Sequence, residues 1–174
     1  MVAVSGRLIG EQLRDRTPNG AAWVVGSSRQ VAAGLGIGIM IAGLYFLVAI
    51  VTVRLGVHVG RGPLAKMATT NGAPQIAWLI AALILAPPFE ELLFRGILYG
   101  GYRRSFGPTT AAVLTTFIFC LLHTTEVIHF LPGLIGIVGV ALGALWLRLH
   151  SSAIGPAVAV HFGYNVVLAS TLLL

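Results

Sequence analysis

The chain has 174 residues, of which 57% are hydrophobic and only 9% are charged, and its mean hydropathy is +0.93. Soluble globular domains carry about 25% charged residues. This composition therefore excludes a soluble globular domain and indicates a polytopic membrane protein. The net charge of +6 comes from basic residues near the ends of apolar segments, which fits lipid headgroups and gives no reason to expect nucleic-acid binding. The single cysteine, Cys120, excludes an internal disulfide.

The predicted organisation is a polar lead, residues 1–30, followed by a single transmembrane helical domain, residues 31–174. The lead has no apolar stretch typical of a cleavable signal peptide, so we expect none. Apolar stretches that can cross a hydrocarbon layer of about 30 Å predict an all-α bundle of about five membrane helices. These stretches are residues 31–53, 76–102, 109–130, 131–147 and 153–174.

Two glycine patterns predict close packing between helices. Gly34 and Gly38 are four residues apart in the first stretch, and a strip of four glycines runs along the fourth stretch. Small residues let the backbones of membrane helices approach each other, so we expect neighbouring helices at both places. The strip contains Gly133, Gly136, Gly139 and Gly143.

The distribution of basic residues predicts the orientation. With five segments and a cytoplasmic N-terminus, seven arginines fall on the inner side and three basic residues on the outer side, which favours this orientation in a multi-pass protein of the plasma membrane. The inner residues are Arg7, Arg14, Arg16, Arg29, Arg103, Arg104 and Arg148, and the outer ones are Arg54, Arg61 and Lys66.

Two adjacent acids, Glu90 and Glu91, stand in the middle of the second stretch with Arg95 four residues beyond the second acid. A charge at membrane depth costs on the order of 3 kcal/mol, so three together need a reason. The i, i+4 spacing predicts that Glu91 pairs with Arg95. Because prolines suit the first turn of a helix, Pro87-Pro88 predict a break, with both acids in the first turn of the restarted helix.

The paired residues have two open interpretations. Glu91 and Arg95 are either part of a functional site or a buried ion pair that only fixes helix packing. Glu90 has no partner at a favourable spacing, and an ionisable group at membrane depth is a functional residue by default. We therefore interpret Glu90 as a carboxylate held ready for chemistry in a dry site.

Three polar residues on other segments are expected at the same depth. At 1.5 Å per residue, Glu90 is about 20 Å from the Arg103 end of its helix, His123 is about 21 Å from the start of its segment, and His161 is about 12 Å from the start of its own. All three positions are near the middle of the bilayer. Asn165 lies four residues after His161, so both face one way. Each is also explained by a hydrogen bond between packed helices.

In these residues the chain resembles the CPBP intramembrane protease family, which includes CAAX prenyl proteases and bacteriocin-processing or Abi-type enzymes. The resemblance extends from about residue 76 to the C-terminus, which we take as the protease core, residues 76–174. The family's E-E-x-x-x-R, F-x-x-x-H and H-x-x-x-N motifs stand here in order as Glu90-Glu91…Arg95, Phe119…His123 and His161…Asn165.

The resemblance implies an intramembrane endopeptidase that cleaves next to a lipidated or apolar anchor, with Glu91, Arg95 and Phe119 supporting the site. Glu90 with His123 is then expected to activate water, and His161 with Asn165 to hold the oxyanion. The expected substrates are lipidated peptides or membrane proteins. We expect the substrate to present a short peptide tail beside a prenyl anchor. We expect this tail to reach a site that is open to the cytoplasmic side.

Metal use and function class stay open at this point. The family has also been described as metalloproteases, and zinc could be held by histidines and glutamates, but no H-E-x-x-H spacing is present and Arg95 opposes a cation. We therefore expect no cofactor. The alternatives to a protease are a bacteriocin self-immunity or maturation factor and a small proton-coupled transporter.

Overall fold

The computed structural model describes residues 10–11, 13–57, 60 and 63–172, and the regular elements within them are helices. No β-strand occurs in this described part of the chain, which confirms the predicted all-α class. Arg7 and Arg61, used above to predict the orientation, lie outside it. In chain order the helices are α1 (Ser28–Arg54), α2 (Pro63–Ala68), α3 (Ala73–Phe106), α4 (Pro108–Leu122), α5 (Thr124–His129), α6 (Gly133–Ser151) and α7 (Gly155–Leu172).

The helices α1, α3 and α6, with 27, 34 and 19 residues, are long and apolar enough to cross a membrane. The helix α4 is apolar but shorter, with 15 residues, and α7 has 18. Large apolar side chains on the outside of the bundle stay exposed, for example Met40 at 73% and Ile84 at 63%. Such a surface suits lipid, and the chain is a membrane helix bundle.

The proline pair does not break α3, so the predicted restart near Pro88 is wrong. The backbone remains right-handed helical on both sides of the prolines. The helix instead widens into two π-helical stretches, Ile80–Leu85 and Leu92–Leu98, which changes the hydrogen-bond register around residues that lack an N–H. Glu90 and Glu91 consequently lie inside a continuous helix and not in a first turn with free N–H groups.

The third apolar stretch is also different from the prediction, because α4 ends at Leu122 and does not continue over residues 109–130. His123 leaves the helical conformation, with φ −101° and ψ 11°. Its ring Nδ1 donates to the carbonyl of Phe119 at 2.8 Å, whereas its backbone N–H bonds to Cys120 O at 3.1 Å. The side chain thus occupies the acceptor that a further α-helical turn would use.

Close packing of α1 against α7 agrees with the glycine prediction. A Cβ atom added to Gly34 would collide with the backbone of Pro156, and one added to Gly38 would collide with the backbone of Val160. Only glycine permits this approach, which brings α1 against the helix that carries His161.

The glycine strip of α6 is confirmed for three of its four members. Gly136 packs against the ring of Tyr164, and Gly139 and Gly143 pack against isoleucine side chains of α1. A Cβ on Gly133 would meet nothing within 4 Å among the described residues, so its predicted packing role is wrong. The strip therefore joins α6 to both α1 and α7.

Part of the predicted lead, residues 13–27, lies against the start of α7. The N–H of Ile154 donates to Ala22 O at 2.9 Å, and the N–H of Gly155 donates to Val24 O at 3.1 Å. The first N–H groups of a helix have no partner inside it, so this segment supplies acceptors that α7 lacks.

Two arginines fasten the same segment to α3 and α6. Arg148, only 1% exposed, donates from Nη2 to Thr17 O at 2.9 Å and to Gly20 O at 2.7 Å. Arg104 donates from Nη1 to Asn19 O at 2.6 Å. Hydrogen bonds from a charged donor contribute about 1.5–3 kcal/mol each. The segment consequently covers the bundle end at which α3 and α6 finish.

Candidate active site

Two charged side chains of α3 form an ion pair inside the bundle. Arg95 Nη1 is 3.0 Å from Glu91 Oε1, and the two side chains are 3% and 0% exposed. The predicted i, i+4 contact is therefore present. An unpaired charge at this depth would cost several kcal/mol, so each of the two side chains is stabilised by the opposite charge of the other.

The same carboxylate holds His161 of α7. His161 Nδ1 is 3.1 Å from Glu91 Oε1, the oxygen that also accepts from Arg95. A carboxylate only accepts hydrogen bonds, so Nδ1 is the protonated nitrogen. In the neutral ring Nε2 then carries a lone pair, and this atom lies on the side of Glu90.

His123 is oriented in a similar way by a backbone group. Its Nδ1 is the atom bonded to Phe119 O at 2.8 Å, and a carbonyl oxygen can only accept. The proton of the neutral ring is therefore on Nδ1, and Nε2 is the basic atom. Both histidines of the site have the same tautomer, although their partners differ.

Phe119 packs between the charged and the imidazole side chains. Its ring centroid is 4.5 Å from Arg95 Cζ, 4.7 Å from the His123 ring and 6.0 Å from the His161 ring. It is 2% exposed. The cation–π contact stabilises Arg95, and the Phe119 ring also packs against the imidazole of His123.

Glu90 differs from Glu91 in having no hydrogen bond. Its Oε2 is 3.9 Å from His161 Nε2, which is too long for a hydrogen bond, and no other described residue bonds to this buried oxygen. The side chain as a whole is 29% exposed. The two adjacent acids thus have different surroundings: Glu91 is fully buried and its Oε1 is bonded to Arg95 and His161, whereas Glu90 is partly exposed in the cavity wall and has no hydrogen bond from the described residues.

Asn165 is held by a hydrogen bond to the backbone of another helix. Its Nδ2 donates to the backbone carbonyl of Ala82 in α3 at 2.8 Å. The sequence predicts that Asn165 shares a face with His161, and both residues do line the same cavity. An amide nitrogen carries two N–H groups, so one donor is left after the bond to Ala82.

One cavity of about 930 Å³ brings the predicted site residues together. Glu90, His123, His161 and Asn165 are all in its wall, as expected from their predicted depth. Much of the remaining wall is apolar and comes from α1, which the motif analysis did not identify. The only signal in the sequence was an aromatic pair in an aliphatic helix. The α1 side chains in the wall are Tyr45, Phe46, Ala49, Ile50, Val53 and Arg54.

The cavity extends toward the Arg54 end of α1 and includes Gly60. That end is opposite to the one covered by residues 13–27, where Arg104 and Arg148 lie. The predicted inner side is the Arg104 side, so the cavity reaches the predicted outer side. The cytoplasmic N-terminus and the site open to the cytoplasmic side both stay predictions.

The side chains of the cavity do not make a metal site. Within the described residues, no three His, Cys, Asp or Glu side chains converge in a way that could hold a metal ion. Glu91 Oε1 is occupied by Arg95 and by His161 Nδ1, and the charge of Arg95 beside this carboxylate opposes a cation. The residues present do not fit a bound zinc, and the expectation of no metal stays a prediction.

The two acids should respond differently to loss of charge. We expect Glu91→Gln to lower the free energy of unfolding by about 3–5 kcal/mol, because Arg95 would keep a buried charge without its partner. Glu90→Gln should cost about 1 kcal/mol or less, because no hydrogen bond is lost. Thermal unfolding of both variants in one detergent measures the difference. Equal Tm values would contradict the assigned roles.

Comparison with known proteins agrees with these motifs. The family model described as Type II CAAX prenyl endopeptidase Rce1-like matches residues 72–167, more than half of the chain. Neither the curated proteins nor the solved structures gave a match. The matched region contains all the residues that line up with the three motifs. This match supports a CAAX-type intramembrane protease in general, and the chain belongs to the Type II CAAX prenyl endopeptidase Rce1-like family.

Proposed function

We propose that the chain hydrolyses a peptide bond beside a lipidated or strongly apolar anchor, with water activated by Glu90 and His123 and the oxyanion held by His161 and Asn165. One observation carries the proposal: Glu90, without a hydrogen bond, faces the Nε2 atom of His161 in a cavity that also reaches His123 and Asn165. The proposal requires no metal ion.

The attack step uses Glu90 as the base. Glu90 accepts a proton from a water molecule while the water oxygen bonds to the scissile carbonyl carbon. The Nε2 atom of His123 is a second acceptor in the same cavity and can relay this proton. The proton then goes to the leaving amine as the C–N bond breaks, which leaves a new carboxylic acid on the other product, and this acid loses its own proton to the amine or to water.

The negative charge that develops on the carbonyl oxygen needs donors. Asn165 contributes the N–H that is not bonded to Ala82. His161 donates from Nε2 only when its ring carries a second proton, and the carboxylate of Glu91 beside Nδ1 stabilises that cation. Glu91 thus supports the reaction through His161 and does not itself meet the substrate.

The apolar wall of α1 supplies a place for the anchor. A peptide backbone in lipid leaves N–H and C=O groups unpaired, at several kcal/mol each. Each buried CH₂ group of an anchor contributes about 0.8 kcal/mol, so an isoprenoid chain offsets much of that cost. We place the anchor along Tyr45, Phe46, Ala49 and Ile50, between the catalytic side chains and the Arg54 end.

The activity test compares purified wild-type protein with Glu90→Gln on one peptide, farnesylated and unfarnesylated, in liposomes. We expect Glu90→Gln to reduce cleavage by at least about 100-fold, because the base is removed. Glu126→Gln is a matched control, since Glu126 lines another part of the same cavity. Activity should persist with a chelator present.

Several outcomes would contradict the proposal. Cleavage by Glu90→Gln at the wild-type rate would remove Glu90 as the base, and activity that needs added zinc would require a metal. Equal turnover of the farnesylated and unfarnesylated peptides would contradict the proposed role of the lipid anchor. If wild-type protein cleaves neither peptide, the result favours the immunity or transport alternatives.

The position of the anchor is tested by narrowing the cavity. Ala49→Trp places a large side chain in the cavity wall, so we expect KM for the farnesylated peptide to rise at least about tenfold while the unfarnesylated peptide is little affected. Leu47→Trp is the control, because Leu47 is on the same helix but 60% exposed and outside the wall. Equal effects of the two variants would show that the anchor binds elsewhere.

A further inference from the structure

The hydrogen bond that holds Asn165 needs an explanation, because its acceptor lies in the middle of a helix. The carbonyl of Ala82 belongs to the π-helical stretch Ile80–Leu85 of α3. Backbone carbonyls inside a helix normally accept from an N–H of the same helix. A carbonyl has two lone pairs, and when the helical donor is missing a side chain on another helix becomes its main hydrogen-bond partner.

The donor is missing because of a proline. The N–H of Ala86 bonds to Ala81 O, five residues back, which is the π-helical register. One residue further along, the same register pairs Ala82 O with the N–H of residue 87, but that residue is Pro87 and has no N–H. The α-helical alternative for Ala82 O is the N–H of Ala86, which is already used.

We propose that Pro87 is a positioning residue for Asn165: by withholding its N–H it leaves Ala82 O free, and this carbonyl fixes the carboxamide of Asn165 in the cavity wall. The inference deepens the proposed function and rests on it, since Asn165 is there an oxyanion donor. Pro87 is itself fully buried and lies outside the cavity wall, so it acts only through the backbone of α3.

The neighbouring proline provides a matched control. Pro88 removes the N–H that the same register would direct to Leu83 O, and no side chain among the described residues donates to that carbonyl. Pro87→Ala and Pro88→Ala are therefore the same chemical change, one residue apart. Only the first restores an N–H to the acceptor of Asn165.

The test is a double-mutant cycle that combines each proline variant with Asn165→Ala. We expect Asn165→Ala to lower Tm in the wild-type and Pro88→Ala backgrounds, because Ala82 O then has no donor. In the Pro87→Ala background the loss of Tm should be much smaller, because the new N–H of residue 87 satisfies Ala82 O. The same loss in all three backgrounds would overturn the inference.

Kinetics separate positioning from simple packing. Removing an oxyanion donor costs about 100-fold or more in kcat, so Asn165→Ala should show this loss, and Pro87→Ala should lose at least about tenfold in kcat with KM unchanged. Pro88→Ala should keep the wild-type kcat. A wild-type kcat for Pro87→Ala would overturn the positioning role. If wild-type protein cleaves no peptide, the proposed function fails, and the Tm cycle alone decides the inference.

Discussion

The buried charge pair of Glu91 and Arg95 is the constraint on which the site depends. An apolar bundle tolerates Arg95 only with a carboxylate within hydrogen-bond distance, and the ring of Phe119 covers its other side. The oxygen that neutralises Arg95 also accepts from His161, so the pair fixes a ring on another helix. The orientation of His161 follows from this interaction, which also joins α3 to α7.

The depth of the site residues could be predicted because the rise of a helix per residue is nearly constant. Counting from the helix ends was enough to bring Glu90, His123 and His161 to one level, and the motif spacing identified the same residues. Two of the failures, at Pro87-Pro88 and at His123, share a cause. At the prolines an N–H is missing, and at His123 a ring nitrogen competes for a backbone carbonyl. Both change the backbone hydrogen bonds of the helix, and hydrophobic periodicity in the sequence carries no information about them.

Residues outside the matched region 72–167 complete the structure around the site. The helix α1 supplies much of the apolar wall, and residues 13–27 bind the ends of α3, α6 and α7 through backbone acceptors. None of this follows from the motifs, because backbone contacts depend on chain path and not on side-chain identity. The path also places residues 13–27 at the opposite end of the bundle from Arg54 in the cavity wall.

The central claim is that Glu91 accepts the Nδ1 proton of His161, so that Nε2 of the same ring faces Glu90. Nitrogen NMR of protein labelled at the histidine ring nitrogens tests this directly, since the chain has five histidines and His161→Gln assigns the signal. The account predicts that Nδ1 of His161 carries a proton. A neutral ring with its proton on Nε2 would contradict it.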